Sequence, residues 1–162
     1  MKFNRKYLAE NMGKYDYLIF AGHWKQVQEK GQLQNFDMPL AQAAKLGIPV
    51  IIMASPYAFN KNIGNEYKRA IWLNREFSIT NYANNDFDAL TAKSNTAVKE
   101  MASKYTNVFF IDRKSLYSDK HLSDDGFPYS LDGGHISILG SEASAKYFEK
   151  SKDFQDLKAR LK

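Results

Sequence analysis

Three short apolar runs constrain this chain more than anything else in it. They are Tyr15-Asp16-Tyr17-Leu18-Ile19-Phe20-Ala21, Ile48-Pro49-Val50-Ile51-Ile52-Met53-Ala54 and Asn107-Val108-Phe109-Phe110-Ile111. Each is too short for an ordinary helix and is closed by turn residues: Gly22, Ser55-Pro56 and Asp112. Apolar character with almost no alternation is what a strand buried on both faces of a parallel sheet requires. Helical spacing fills the gaps. Residues 38–45 form one predicted helix, closing at Leu46-Gly47, where glycine suits the left-handed position after a helix. Others are expected around 67–77, over 87–104 with Leu90, Ala97, Val98 and Met101 near one stripe, and from Ser137 toward Leu161. The Asn-rich stretches 57–65 and 81–88 read as loops. Strands alternating with helices predict an α/β fold: a three-layer sandwich with a mainly parallel sheet, flavodoxin-like in type.

Composition narrows the chemistry. The 162 residues suffice for one domain with a sizeable core. There is no cysteine, which excludes disulfides, thiolate catalysis and Cys-based zinc sites. With three histidines besides, no metal site and no cofactor are expected. No apolar run approaches the roughly 20 residues that span a bilayer, and the early positive charges are followed by no apolar signal-peptide core. The net charge of +5 raises nucleic acid as a partner. Basic and acidic residues are interleaved, however, as in KYFEKSKDFQDLKARLK, and this reads as a solvated helix face rather than a nucleic-acid surface. The chain contains no P-loop, no G-x-G-x-x-G, no H-E-x-x-H and no G-x-S-x-G.

Ligands of parallel α/β sheets bind at the carboxyl ends of the strands. That draws attention to Gly22-His23-Trp24, Ser55-Pro56-Tyr57 and Asp112-Arg113. One further cluster precedes the last predicted helix: Phe127-Pro128-Tyr129-Ser130-Leu131-Asp132-Gly133-Gly134-His135-Ile136-Ser137. Two glycines between Asp132 and His135 let the loop fold tightly and bring carboxylate to imidazole. A carboxylate that accepts the Nδ1 hydrogen fixes the tautomer, and Nε2 can then deprotonate a hydroxyl. The alternative is structural: Asp132 ends a turn, Ser137 caps a helix and His135 only packs nearby. Ser55 is a candidate hydroxyl at a strand end, in competition with an ordinary Ser-Pro turn. Ser130 and Ser137 stand too near His135 in sequence for in-line attack, and Ser137 suits an N-cap. Trp24 is either a platform for a sugar ring or part of the core, and His23 is polar packing or pocket rim. Asp112 is expected to cap the following turn, and His121 to lie on the surface.

The string PYSLDGGHISILGSEASAKYF resembles the terminal block of SGNH-type hydrolases. More narrowly it resembles the SGNH domain fused to the membrane acyltransferase-3 family, which O-acetylates bacterial surface polysaccharides. Tyr129, Asp132, His135, Ile136, Ser137 and Gly140 fill the motif's places. YDYLIFAGHWK is similar to the family's strand, small residue, basic residue and Trp, with His23 where Arg is commoner; FFIDRKSLY agrees in order. The resemblance implies an SGNH fold, Asp132 and His135 as catalytic residues, and Gly22, His23 and Trp24 as substrate-binding ones. It further implies an acylated carbohydrate or acyl donor as ligand, an upstream membrane acyltransferase domain as partner, and a periplasmic or otherwise extracytoplasmic location.

The sequence also departs from the family. It has no Gly-Asp-Ser nucleophile block and no Asn of the third block, and Tyr117 and His121 stand near where a cysteine pair is common. Residues 1–162 are therefore expected to form a partial SGNH-like domain, the latter two-thirds, without the first strand and helix. The serine would come from residues outside the chain, and an open sheet edge would favour self-association. Two functions follow as expectations: a carbohydrate O-acyl (acetyl) esterase or transferase, or a non-catalytic glycan- or protein-binding module.

Overall fold

In the computed structural model of the protein the three apolar runs become three parallel strands, β1 (Leu18–Phe20), β2 (Val50–Met53) and β3 (Val108–Ile111), in the order β1-β2-β3. The structure describes residues 2–59, 61–118 and 120–161. The register sets Leu18 beside Val50 and Val50 beside Val108. Pro49 has no N–H to donate to the ladder, so β2 opens one residue later, while its carbonyl still accepts from Leu18 N at 2.9 Å. Burial on both faces holds for central β2, where Val50, Ile51 and Ile52 are all buried. On edge strand β1, by contrast, Ile19 is 55% exposed.

The helices are α1 (Lys2–Asn11), α2 (Trp24–Glu29), α3 (Asp37–Lys45), α4 (Ile63–Trp72), α5 (Asn85–Ala102), α6 (Arg113–Leu116), α7 (Ile138–Glu149) and α8 (Lys152–Arg160). Several boundaries differ from the sequence expectation, and local chemistry explains them. The helix predicted around 67–77 lies earlier, because Asn62 Oδ1 caps it by accepting from Asn65 N at 2.9 Å. It stops early because Asn74 takes a left-handed φ of 49° and Arg75 N returns to Ala70 O. Asn84 Oδ1 accepts from Phe87 N, which starts α5 inside the predicted 81–88 loop. The long terminal helix is two, since Ser151 Oγ accepts from Phe154 N and caps α8. Asp112 does cap α6, accepting from Lys114 N at 3.0 Å.

The chain divides into two compact units. The first takes described residues from 2–55 and 91–111, with Leu161; the second takes those from 56–90 and 112–160. In the first, β2 packs its Val50 and Ile52 among Met12, Trp24, Leu40, Val98 and Met101. Each such side chain contributes about 1.5–3 kcal/mol when fully buried. The second unit is built from helices and the loops before α7, with Ile63, Ile79, Leu116, Tyr129 and Leu157 buried.

Ser55 settles as a structural residue of the first unit. It is 2% exposed, and its Oγ donates to Gly22 O at 2.8 Å while accepting from Trp24 N at 2.9 Å. Its own backbone pairs with the Asn95 amide in both directions. A hydroxyl committed on both sides and shielded from water is no nucleophile, which answers the sequence-based candidacy. Ser55→Ala leaves the buried Trp24 N–H without its acceptor, a loss of about 1–3 kcal/mol. Urea unfolding should show it; a loss under about 0.5 kcal/mol would contradict this account.

Candidate active site

The Asp-Gly-Gly-His segment folds as a pinched hairpin in the second unit. Ser130 and Ile136 form an antiparallel bridge at its neck, and Ser137 N donates to Tyr129 O at 2.7 Å. Ser137 then caps α7, its Oγ accepting from Gly140 N at 3.0 Å. At the tip, Asp132 Oδ1 accepts from Gly134 N at 2.8 Å and from His135 N at 2.7 Å. Its other oxygen, Oδ2, lies 2.7 Å from His135 Nδ1. One carboxylate thus both closes the turn and holds the imidazole.

The two glycines are not equivalent. Gly133 has φ +91°, and a Cβ there would stand 2.5 Å from Lys61 O and 2.9 Å from Phe59 O. Its own carbonyl accepts from Phe59 N at 2.8 Å, and Gly64 N donates to Leu131 O at 2.7 Å. Backbone at residues 59, 61 and 64 therefore braces the hairpin from outside, and only glycine fits at 133. Gly134 carries no such constraint: a Cβ there would meet only Asp132 Oδ1, at 4.0 Å.

The electrostatics follow from these bonds. The His135 backbone N–H, then its ring, then the Gly134 N–H hold the Asp132 carboxyl well below the usual carboxylate range, against a smaller opposing effect of burial. An ionised carboxylate only accepts, so the hydrogen between the pair belongs to Nδ1, and in the neutral imidazole Nε2 is then the acceptor. The His135 side chain is 82% exposed. No serine hydroxyl among the described residues is hydrogen-bonded to it; Ser130 Oγ instead accepts from Gly133 N at 2.9 Å.

Beside His135 lies a cavity of about 30 Å³, walled by Tyr57, Phe59, Tyr117, His121 and Tyr129. By the measure in which one water needs ~10–15 Å³, it takes two or three water-sized groups. Burial, and secondarily Tyr129, pushes the Tyr117 phenol up, so it stays protonated at neutral pH. His121 is not the surface histidine expected from its charged neighbours: its ring packs edge-on to Tyr57 and Phe59, with centroids 4.1 and 5.6 Å away. Those partners lie some sixty residues upstream in the chain, beyond the reach of any local pattern.

Gly22, His23 and Trp24 belong to the first unit. Trp24 opens α2, is 5% exposed and donates from Nε1 to Met53 O at 2.8 Å. With Gly22 it borders a groove of about 530 Å³ in that unit, which Phe20, Phe36 and Met38 also line. Among the described residues no cluster of three or more His, Asp or Glu is arranged to hold a metal ion, and no helix is long and apolar enough to cross a membrane.

Known proteins resemble this chain in fold and family. No curated protein matches the chain. A solved structure described as a platelet activating factor from Streptococcus pneumonia is similar at 20% identity and a TM-score of 0.55, over 97% of this chain and 67% of that one. At that identity the likeness concerns the fold. The salicylyl-acyltransferase SsfX3 from a tetracycline biosynthetic pathway is similar at 12% identity and a TM-score of 0.45, over 95% of this chain and 42% of that one. The profile described as SGNH domain (fused to AT3 domains) matches residues 1–150. Spanning nearly the whole sequence, that match makes the chain a member of the family: it is an SGNH domain of the kind fused to AT3 domains.

Proposed function

We propose that this domain transfers or hydrolyses an acyl ester on a carbohydrate hydroxyl, with His135 as general base and then acid and Asp132 as its anchor. One observation carries the reading: Asp132 Oδ2 lies 2.7 Å from His135 Nδ1 on an exposed imidazole that borders a small cavity. In such a site Nε2 takes the proton of an attacking hydroxyl as its oxygen bonds to the acyl carbon. The same proton then passes to the departing alkoxide as the ester bond breaks. Ser55 and Ser130 do not serve as that hydroxyl, each being engaged by backbone. Gly22 and His23 bind the sugar in this reading, on the strength of their motif alone, whereas Trp24 of the same motif is packed into the core. The fusion named in the family description supports a membrane acyltransferase partner and an extracytoplasmic location, and the motif resemblance suggests a bacterial surface polysaccharide as substrate.

The second reading, a non-catalytic glycan-binding module, is favoured by the absence of a serine bonded to His135 among the described residues. Aryl acetate hydrolysis distinguishes them. A general base contributes on the order of 10²–10⁴-fold, so His135→Ala should lower turnover by that factor. A serine-reactive phosphonate reports in parallel whether any serine of the chain is acylated. Turnover indifferent to His135→Ala, together with saturable binding of an O-acetylated methyl glycoside, would establish the binding module instead.

A further inference from the structure

A second histidine stands in the wall of the same cavity, held in a way that packing alone does not require. His121 has φ +50°, a left-handed conformation uncommon for non-glycine residues, although histidine adopts it more readily than most. Strain of this kind persists where surrounding structure over-determines it, and it gathers at ligand-binding positions. Here the surroundings are explicit. Backbone fixes the residue on both sides, His121 N donating to Ser118 O at 2.9 Å and His121 O accepting from Tyr129 N at 3.1 Å.

The ring is held by a stack that begins at an ion pair. Arg113 Nη2 donates to Asp88 Oδ2 at 2.9 Å, with its Nη1 on Oδ1, which makes the fork bidentate. The same guanidinium lies 3.9 Å over the centroid of Tyr57, whose ring in turn meets His121 edge-on at 4.1 Å. Asp88, Arg113, Tyr57 and His121 thus form a continuous support that ends at the cavity. A stack built only to fill space needs no titratable ring at its end and no left-handed backbone.

We infer that His121 is a ligand-contacting residue, whose imidazole hydrogen-bonds an oxygen of the ester that His135 acts upon, and that Arg113 and Tyr57 are positioning residues behind it. This rests on the acyl-ester reading of the pocket. The cavity of about 30 Å³ has both histidines in its wall, so an acyl group seated in it meets the surface that both rings help to form. The chemistry suits an acyl carbonyl, since a ring N–H donates where that oxygen accepts.

The test titrates the whole chain, with ring-labelled histidine, with an O-acetylated methyl glycoside and follows imidazole signals by NMR. The His121 and His135 rings are expected to shift together with one Kd, and the His23 ring serves as a third reporter. His121→Phe keeps an aromatic edge but removes the nitrogens and should weaken binding about tenfold. His121→Asn tolerates the left-handed backbone and retains a donor, so it should bind within a few-fold of the parent. A shift of His135 without His121 would overturn the inference and leave the pocket reading intact; so would unchanged binding by His121→Phe. The absence of any shift at either ring would overturn both. The wild-type titration decides the matter even if His121→Phe does not fold.

Discussion

Replacing Gly140 by alanine is expected to destabilise the protein by about 3 kcal/mol, the upper part of the range for overpacking a filled site. The new Cβ would overlap Tyr129 O and lie 2.7 Å from its Cα and 2.8 Å from its carbonyl carbon. All three are backbone atoms, so no side-chain rotation can relieve the clash. Tyr129 cannot easily retreat: it is 6% exposed, and its carbonyl accepts from Ser137 N at the start of α7. The motif glycine is therefore a contact residue, where the first turn of a helix meets the strand-like segment that leads to the Asp132–His135 loop. With total stabilities of about 5–15 kcal/mol typical, a loss of that size is readily seen in a denaturation midpoint. A midpoint within about 0.5 kcal/mol of the parent would show that the contact is looser than described.

Asp132→Asn should lower His135-dependent ester turnover by up to about 10⁴-fold, the size of effect seen when a triad carboxylate becomes an amide. An asparagine at this position can present an N–H to Nδ1 and so favour the wrong tautomer. It also removes the negative charge that stabilises the imidazolium. The same substitution gives a pH signature. The native carboxyl is held below its reference value of 3.8, so the stability it lends the loop is present above that value. It is lost as the pH falls through the depressed folded value. Amide signals of Gly134 and His135 should thus keep their native positions below pH 3.8 in the parent. In Asp132→Asn they should show no acid titration from this group. Because the pair is largely exposed, the stability effect is modest, and the amide shifts are the better readout. Retained turnover in Asp132→Asn would remove the carboxylate from the mechanism.

Particular residues show where sequence reading succeeds. Asp132 and His135 are three apart, and the turn joining them is closed by bonds from Gly134 and His135 themselves. Such a local device is legible because every participant lies within four positions. The strands were legible for a similar reason: a run such as Val50-Ile51-Ile52 has few places to go but the middle of a sheet. Helix ends were harder. Asn62, Asn74, Asn84 and Ser151 all act as caps or stops, yet in sequence an asparagine looks alike in a loop and at a cap.

The sequence by itself determined the alternation of strands and helices and the cap at Ser137, and it offered the Asp-His pairing as one of two readings. Each depends on steric and hydrogen-bonding preferences acting over a few residues. Only the tertiary structure decided that Ser55 is locked to Asn95, forty positions away, and that His121 rests on Tyr57 and Phe59. It alone revealed that Gly133 and Gly140 are pressed against the backbone of other segments. Those roles come from contacts between stretches of chain that folding brings together, and no local pattern records which stretches will meet.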